Sequence, residues 1–576
     1  MQLSEALKVI KEGPFAGRPP LRVFVACGFH PLHLQTFLHA HLQGRVLRRV
    51  VPSVGLYGDL LGTLRQLPTR DLDLCAVAIE WPDLDPRLGF RQLGWDGRQL
   101  GDVVKTVESA LGALREILAR APEYTPLALS LPTLPLPPLL PAPSQRASET
   151  ELCLRRSVDE FALWSAGRPG IRVVHPEYLA RVSPPAERFD FKSELLVGLP
   201  YTLAHADALA SVMADLLVPP AAKKGLITDL DDTLWKGLAG EVGAQGLCWD
   251  LAGHAQVHGL YQQLLRGLAE QGVLIGIASK NDAGVVEEVF QREDILLPRQ
   301  SVFPVEVHWG PKSGSVTSIL KAWNIGAESV VFVDDSAMEL AEVKASHPDV
   351  ECVLFPASDY AGAQALLYRL RDLFAKESVS EEDRLRLESL RAGDAFRRDA
   401  AAAGDSFESF MRDAQGELTL DCASAGANPR SLDLVNKTNQ FNLNGTRFTT
   451  EEWHTALRCP GAFAMTAAYR DKYGPLGVIA VVKGRTRNGE VTVDTWVMSC
   501  RAFGRRIEHQ CLRSLFDQFG AEEIRLNFMP TLRNQYLKDF LAGFQRAELS
   551  GPLRVSRAAF EEKCPPLYHR VEISHD

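Results

Sequence analysis

Lys224-Gly225-Leu226-Ile227-Thr228-Asp229-Leu230-Asp231-Asp232-Thr233-Leu234-Trp235 is the stretch from which the rest of the chain is read. Its apolar run has the character of a buried strand and ends in two aspartates spaced by one residue. Side chains at i and i+2 of a strand point to the same side, so Asp229 and Asp231 address one ligand if the strand geometry lasts to its tip. Two carboxylates at one strand tip repel each other unless something positive sits beside them. A hard, oxygen-seeking cation such as Mg²⁺ meets that need, and a phosphate binds on such a cation. Taken alone, the same residues also describe a solvated, Asp-rich turn after a buried strand.

Three later stretches narrow the choice. Gly272-Val273-Leu274-Ile275-Gly276-Ile277-Ala278 is a second buried-strand pattern, running into Ser279-Lys280-Asn281, a hydroxyl and an amide suited to a phosphate oxygen. Lys312, in Trp309-Gly310-Pro311-Lys312, precedes a helical pattern. Ser329-Val330-Val331-Phe332-Val333 is a third apolar strand ending in Asp334-Asp335, with Glu339 a turn later. A strand-ending Asp, a strand-ending Ser, a Lys and a strand-ending Asp pair, in that order, resemble the four motifs of the haloacid dehalogenase (HAD) superfamily.

A narrower resemblance follows. Thr228 to Trp235 with Gly237 and Gly240-Glu241-Val242-Gly243, then Ser279-Lys280-Asn281-Asp282, Val333-Asp334-Asp335, and Leu434-Val435-Asn436-Lys437-Thr438-Asn439-Gln440-Phe441-Asn442-Leu443 are similar to the FkbH-like, subfamily IIIC branch. The family pattern more often has Asn where this chain has Asp232. The resemblance implies a phosphatase and glyceryl transferase of polyketide-type pathways. Such proteins take a phosphorylated three-carbon acyl unit, as in 1,3-bisphosphoglycerate, load it onto the phosphopantetheine thiol of an acyl carrier protein, and remove the phosphate. It further implies Asp229 as the nucleophile that attacks phosphorus, and Asp231 as the acid that protonates the leaving oxygen and then activates water. Mg²⁺ would be held by Asp229, Asp334 and the backbone carbonyl of Asp231, and the transferred oxygens by Ser279 and Lys312. Asp335 and Glu339 either orient the metal shell or cap the following helix. A simple phosphatase acting on a phosphoprotein or sugar phosphate, and a non-catalytic carrier-binding scaffold, are the alternatives.

Composition bounds the rest. A chain of 576 residues is too long for one core. A formal net charge of −9 and a pI near 5.9 argue against a general nucleic-acid binder, since neutralising phosphates needs a basic surface. Ten cysteines without a Cys-x-x-Cys pair or zinc spacing favour a reduced, cytoplasmic compartment. Met1 to Glu12 reads as a short amphipathic helix, not a signal peptide, and nothing later reads as a bilayer span, so no membrane partner is expected.

The expected fold class is α/β, in three domains joined by one connector. Residues 1–220 alternate strands (21–27, 46–51, 72–79, 127–131) with helices, which implies a parallel sheet wrapped by helices. Six prolines between Pro132 and Pro143 mark an excursion from this domain. The order of elements resembles an SGNH-hydrolase-like domain, but Cys27-Gly28-Phe29-His30 stands where a working member has its serine. A buried Cys27 and a turn His30 are the expected reading, with His205 unassigned, and a role in recognition instead of chemistry. Residues 221–376 form the capless HAD domain with a Rossmann-like parallel sheet: the intervals Thr233 to Ser279 and Ser279 to Lys312 hold core helices and no extra domain. The three glycines of 237–243 are expected to form a mobile flap. An open site leaves the exclusion of water to the substrate, which favours a group carried on a protein.

Residues 377–406 read as a charged helical linker. Residues 407–576 resemble an acetyltransferase (GNAT-type) α+β fold, with Arg501-Ala502-Phe503-Gly504-Arg505-Arg506 at the turn that would hold a coenzyme pyrophosphate. Arg506 obstructs that turn and Leu541 stands where a tyrosine acid is expected, which argues against acetyl transfer. Lys437, Asn439, Gln440 and Asn442 around Phe441 are expected to line a groove for a phosphopantetheine arm, or else to form an Asn-rich loop. Cys248, near the flap, is read as structural and not as an acyl carrier.

Overall fold

The structure, a computed structural model, describes the chain outside residues 13–18, 68–71, 92–100, 121–124, 139–143, 145, 377–378, 380, 423–427, 488, 532, 545–550 and 575–576. Most of the proline run at 132–143 is described up to residue 138; the remainder lies outside the described residues. The chain divides into two compact units, Met1–Pro220 and Ala221–Asp576. No helix among the described residues is long and apolar enough to cross a membrane.

In the first unit, β1 (Leu21–Ala26), β2 (Val50–Val54), β3 (Leu74–Ala78), β4 (Leu127–Ser130) and β5 (Ile171–Val173) form a parallel sheet in the order β2-β1-β3-β4-β5. Both faces are covered, which is why the central strands are apolar throughout instead of alternating. Val23 and Val25 enter one core with helices Leu32–Gln43 and Leu203–Leu217, while Phe24 and Ala26 enter the other with Val103–Leu118 and Glu149–Ala166.

The turn after β1 carries no thiol–imidazole pair. Buried Cys27 donates its Sγ–H to Phe29 O (3.3 Å), and burial pushes its thiol well above the usual range. The His30 backbone N–H instead donates to Gly198 O (3.0 Å). A Cβ at position 28 would lie 1.7 Å from Asp83 Oδ1, so a larger residue there would displace the Asp83 carboxylate. His205 belongs to a buried network: its Nδ1 meets Ser183 Oγ (2.9 Å), its Nε2 meets Thr133 Oγ1 (3.0 Å), and the Thr133 hydroxyl donates to Glu80 Oε1 (2.6 Å). Burial, with the Arg188 charge, lowers the His205 pKa to about 3.

Burial raises Glu80 to about 7 against hydrogen bonds from Thr133, Tyr201 and Leu134, and raises Asp83 to about 7 with help from the Glu80 charge. Between the ordinary carboxylate range and pH 7 the folded unit therefore keeps protons that the unfolded chain has released. Stability contributed by this pair is present at low pH and is lost as pH rises through about 7. Hydrogen-exchange protection of β1 and β3, corrected for intrinsic rates, is expected to fall from pH 5 to pH 8. A flat or rising profile would contradict the assignment.

In the second unit, β6 (Gly225–Thr228), β7 (Leu274–Ser279), β8 (Val302–Val307), β9 (Val330–Asp334) and β10 (Glu351–Leu354) form a parallel sheet in the order β10-β9-β6-β7-β8. The chain leaves β6 toward β7 on one side, while β9 returns on the other. The strand order reverses between β6 and β9, and the carboxyl ends at such a switch point are the place at which open α/β sheets bind ligands. Between β6 and β7 lie helices Ala239–Gly246 and Gln256–Glu270, and between β7 and β8 the helix Ala283–Phe290, with no inserted domain. The glycine-rich stretch expected as a flap is instead mostly the helix Ala239–Gly246, broken at Gly243 (φ 65, ψ 171) and packed toward Ala283–Phe290.

A seven-stranded mixed sheet completes this unit: β11 (Glu417–Asp421), β12 (Ala462–Asp471), β13 (Gly474–Arg487), β14 (Glu490–Met498), β15 (Glu523–Leu526), β16 (Leu553–Ser556) and β17 (Arg570–Ser574), ordered β16-β15-β14-β13-β12-β11-β17. The stretch read as a linker is one helix, Glu381–Ala403, seated on both sheets. Leu390 enters the core beside Ile227 and Leu274, and Ala392 the core beneath β12 and β13. Arg386 donates to Gly272 O and Arg391 to Val302 O, both at 2.9 Å.

Candidate active site

The pleat of β6 and β9 brings the candidate residues together. Thr228 lies beside Ile277 and Val333 in register, and Asp229 N donates to Val333 O (3.0 Å), so Asp229 and Asp334 stand at the carboxyl ends of adjacent strands. The carboxylate oxygens of Asp229, Asp334 and Asp335 lie within 4.8 Å of one another; Asp229 and Asp334 are buried and Asp335 is at the exposed mouth. Lys312, buried at the start of helix Lys312–Trp323, places Nζ 2.9 Å from Asp229 Oδ1 and 2.6 Å from Asp334 Oδ2. Ser279 closes β7, one residue beyond the position beside Asp229.

One lysine does not balance three clustered carboxylates. Burial, then the Asp229 charge, raises Asp334 to about 6 even against the Lys312 ammonium, and burial with the charges of Asp229 and Asp232 raises Asp335. Burial alone would lower Lys312, but Asp229 and Asp334 hold it above its ordinary value. Asp229 Oδ1 is buried and accepts no hydrogen bond of good geometry, Lys312 Nζ being its cationic neighbour. An all-oxygen donor set with surplus negative charge and an under-satisfied buried oxygen fits Mg²⁺.

The Asp231 carboxylate stands outside this cluster. Its Oδ1 accepts from Trp235 Nε1 (2.8 Å) and its Oδ2 from Ala239 N (3.0 Å), which fixes the side chain and ties it to the helix after the turn. Burial raises its pKa against those hydrogen bonds, with the Asp229 charge adding to the rise, so the acid form persists nearer neutrality. Buried Asn281 faces it, and its amide favours the Asp231 charge.

The two alternatives for Asp335 and Glu339 separate cleanly. Ser336 Oγ caps the helix Ala337–Ser346 by accepting from Glu339 N (3.4 Å), so neither acid is the cap. Asp335 joins the carboxylate cluster, its backbone N–H donating to Thr233 Oγ1 (3.1 Å). Glu339 accepts from Lys280 Nζ at 2.6 Å and braces the loop after β7. Asp232, in the left-handed region at φ 50, accepts from Gly237 N (2.9 Å), and Gln262 and His258 bind the carbonyls of Leu234 and Thr233 at 2.9 Å each. Asn281, read from the sequence as an amide suited to a phosphate oxygen, faces Asp231, whereas Trp235, His258 and Gln262 were given no role there. Of these three, Trp235 had a visible signal, a tryptophan four residues after Asp231.

The polar residues around Phe441 are engaged within the chain. Lys437 pairs with Asp433 (2.6 Å), Gln440 bonds Asn324 (3.1 Å), Asn439 Oδ1 accepts from Arg447 (2.6 Å), and Asn442 Nδ2 donates to Thr438 O (3.0 Å). β14 and β15 pair only from Val491 to Val493, and the edge that β14 frees beyond them is taken by the chain itself. Leu443 N donates to Trp496 O (2.9 Å) and Met498 N to Phe441 O (3.0 Å). Arg506, at φ 59 just before helix Ile507–Phe519, directs its guanidinium to Pro566 O (2.7 Å) and Glu408. Leu541 is buried in the core, and Cys248 donates to Gly246 O (3.7 Å).

Neither a family model nor a curated protein matches this chain. Among solved structures it is similar to the N-terminal part of protein BF1531 from Bacteroides fragilis, described as containing a phosphatase domain and complexed with Mg. The two share 19% identity over 66% of this chain and 100% of that one, with a TM-score of 0.54. That likeness shows a shared α/β fold. Smaller likenesses are to an uncharacterized protein from Corynebacterium glutamicum (18% identity, 27% of this chain and 98% of that one, TM-score 0.19) and to the ribosomal-protein-S18-alanine N-acetyltransferase from Escherichia coli (9% identity, 24% and 90%, TM-score 0.17).

Proposed function

We propose that the parallel sheet of the second unit is a HAD-type, Mg²⁺-dependent phosphohydrolase site with Asp229 as nucleophile. The observation that carries this reading is the division of labour among carboxylates. Asp229, Asp334 and Asp335 gather around Lys312, whereas Asp231 is held apart by Trp235 and Ala239 with a raised pKa. The shared fold with a structure described as a Mg-complexed phosphatase domain supports it.

Asp229 attacks phosphorus and takes the phosphoryl group as an acyl phosphate. Asp231 gives its proton to the leaving oxygen, then removes one from the water that hydrolyses the acyl phosphate. Lys312 and Ser279 hold the phosphoryl oxygens. Asp229, Asp334 and Asp335 would hold Mg²⁺, which would offset the charge gathered at the phosphoryl group.

The finer reading is a phosphatase and glyceryl transferase of the FkbH-like kind, acting on a phosphorylated three-carbon acyl unit and an acyl carrier protein. The four motifs, the 434–443 stretch and the absence of an inserted cap among the described residues support it. A phosphopantetheine arm beside Phe441 would lie against the exposed side chains of Lys437, Asn439 and Gln440 and not along the β14 backbone edge, which the chain itself pairs. Intact-protein mass spectrometry of a phosphopantetheinylated carrier incubated with the enzyme, Mg²⁺ and 1,3-bisphosphoglycerate is expected to show a dephosphorylated glyceryl adduct. An unmodified carrier, with phosphate still released from p-nitrophenyl phosphate, would leave the phosphatase and remove the transferase. Release from neither substrate would remove both.

A further inference from the structure

The first unit has its own crevice at a strand-order reversal, between β1 and β3, where a doubly wound sheet of this order holds its ligand. A cavity of about 510 Å³ opens there, lined by the turns after both strands, within the range of small-molecule sites. Tyr57, Trp81, Phe90 and Phe189 supply aromatic walls, and Phe90 meets Phe189 at a ring separation of 4.9 Å.

The polar lining is one-sided. Among the described residues, Asp59, Glu80, Asp83 and Glu194 face a single cation, Arg91, whose guanidinium is turned to the Tyr57 hydroxyl. Three of the four acids already have partners. Asp59 caps helix Leu60–Arg65 through Gly62 N (2.7 Å), Glu80 accepts from Thr133, Leu134 and Tyr201, and Asp83 accepts from Glu80 N (2.8 Å). Glu194 differs: its Oε2 is buried and accepts no hydrogen bond. Burial raises its pKa against the Arg91 charge, the expected state of a carboxylate lacking a donor. Gly198, at φ 72, lets Tyr57 and Arg91 pack closely over the backbone, since a Cβ there would meet Tyr57 Oη at 2.5 Å and Arg91 Nη1 at 2.7 Å.

We infer that this cavity binds an organic cation, an ammonium group on an apolar or aromatic body, with the ammonium donating to Glu194 and the body packed among Tyr57, Trp81, Phe90 and Phe189. An ammonium offers only donors, which is what the remaining acceptor needs, and aromatic faces attract cations. A phosphate or carboxylate ligand would meet the same acids as like charges, so this site is distinct in chemistry from that of the second unit.

The full chain is titrated at pH 7.5, by calorimetry and saturation-transfer NMR, with phenethylammonium, its uncharged analogue 2-phenylethanol and anionic phenylacetate. Phenethylammonium is expected to bind once per chain, about tenfold or more tighter than the alcohol, with phenylacetate not binding. Glu194→Gln is expected to remove that preference for the ammonium while leaving p-nitrophenyl phosphate hydrolysis unchanged. Leu61→Trp, filling the cavity from its half-buried rim, is expected to abolish binding of both. Failure of phenethylammonium to saturate by about 10 mM, equal binding of the alcohol or phenylacetate, or an undiminished preference in Glu194→Gln would each overturn the inference.

Discussion

Asp229→Asn is expected to lower phosphate release by about 10⁴-fold or more while leaving the circular dichroism of the chain unchanged. The amide keeps the shape of the carboxylate at the end of β6, where the backbone N–H of Asp229 is held by Val333 O. It has lost the anionic oxygen that would form the bond to phosphorus, and no neighbouring group replaces it. Asp231 is engaged with Trp235 and Ala239, and Asp334 is paired with Lys312. The size of the loss separates nucleophile from ligand, because a carboxylate that only helped to hold the metal would be partly replaced by raising Mg²⁺. Wild-type turnover in Asp229→Asn, or recovery at high Mg²⁺, would remove the nucleophile from the account.

Lys312→Met is expected to have the second largest effect, on stability as well as turnover. The ammonium is the sole cation the protein places against the buried Asp229 and Asp334, at 2.9 and 2.6 Å, among the described residues. Removing it leaves two like charges buried and unpaired, a change that costs about 3–5 kcal/mol in comparable sites. In metal-free buffer the variant should therefore unfold at lower denaturant than wild type. With Mg²⁺ present, turnover should fall by about 10²–10³-fold, as when a charge-stabilising donor is removed. Lys312→Arg should recover most of the stability and little of the rate, since a planar guanidinium cannot reproduce a compact ammonium between two carboxylates. Equal stability of Lys312→Met and wild type would show that the cluster does not depend on this charge.

What the sequence made legible follows from burial. β6, β7 and β9 are covered on both faces and appear as unbroken apolar runs bounded by polar residues, so their ends, and with them Asp229, Ser279 and Asp334, were readable. β8 carries Pro304 and is only half buried beyond Val302, and β10 is an edge strand of four residues; neither has a pattern that stands out. The helix Ala239–Gly246 was hidden by its glycines, since its place is set by Ala239 N on Asp231 and by packing on its neighbour and not by propensity. Asp335 and Glu339 were indistinguishable as carboxylates after a strand until Ser336 proved to be the cap. The closing of the β14 edge by Phe441 and Leu443 depends on partners far away in sequence, which local pattern does not contain. The same holds for the cavity of the first unit, assembled from five separate loops and helices.

The residue that receives the phosphoryl group identifies the nucleophile most directly. Wild-type enzyme mixed with Mg²⁺ and a phosphate ester, quenched in acid within the first turnover and mapped by peptide mass spectrometry, should carry one phosphoryl group, on Asp229. Label on another residue, or steady phosphate release with no acid-trapped acyl phosphate on a chain whose Asp229→Asn variant turns over equally well, would contradict it.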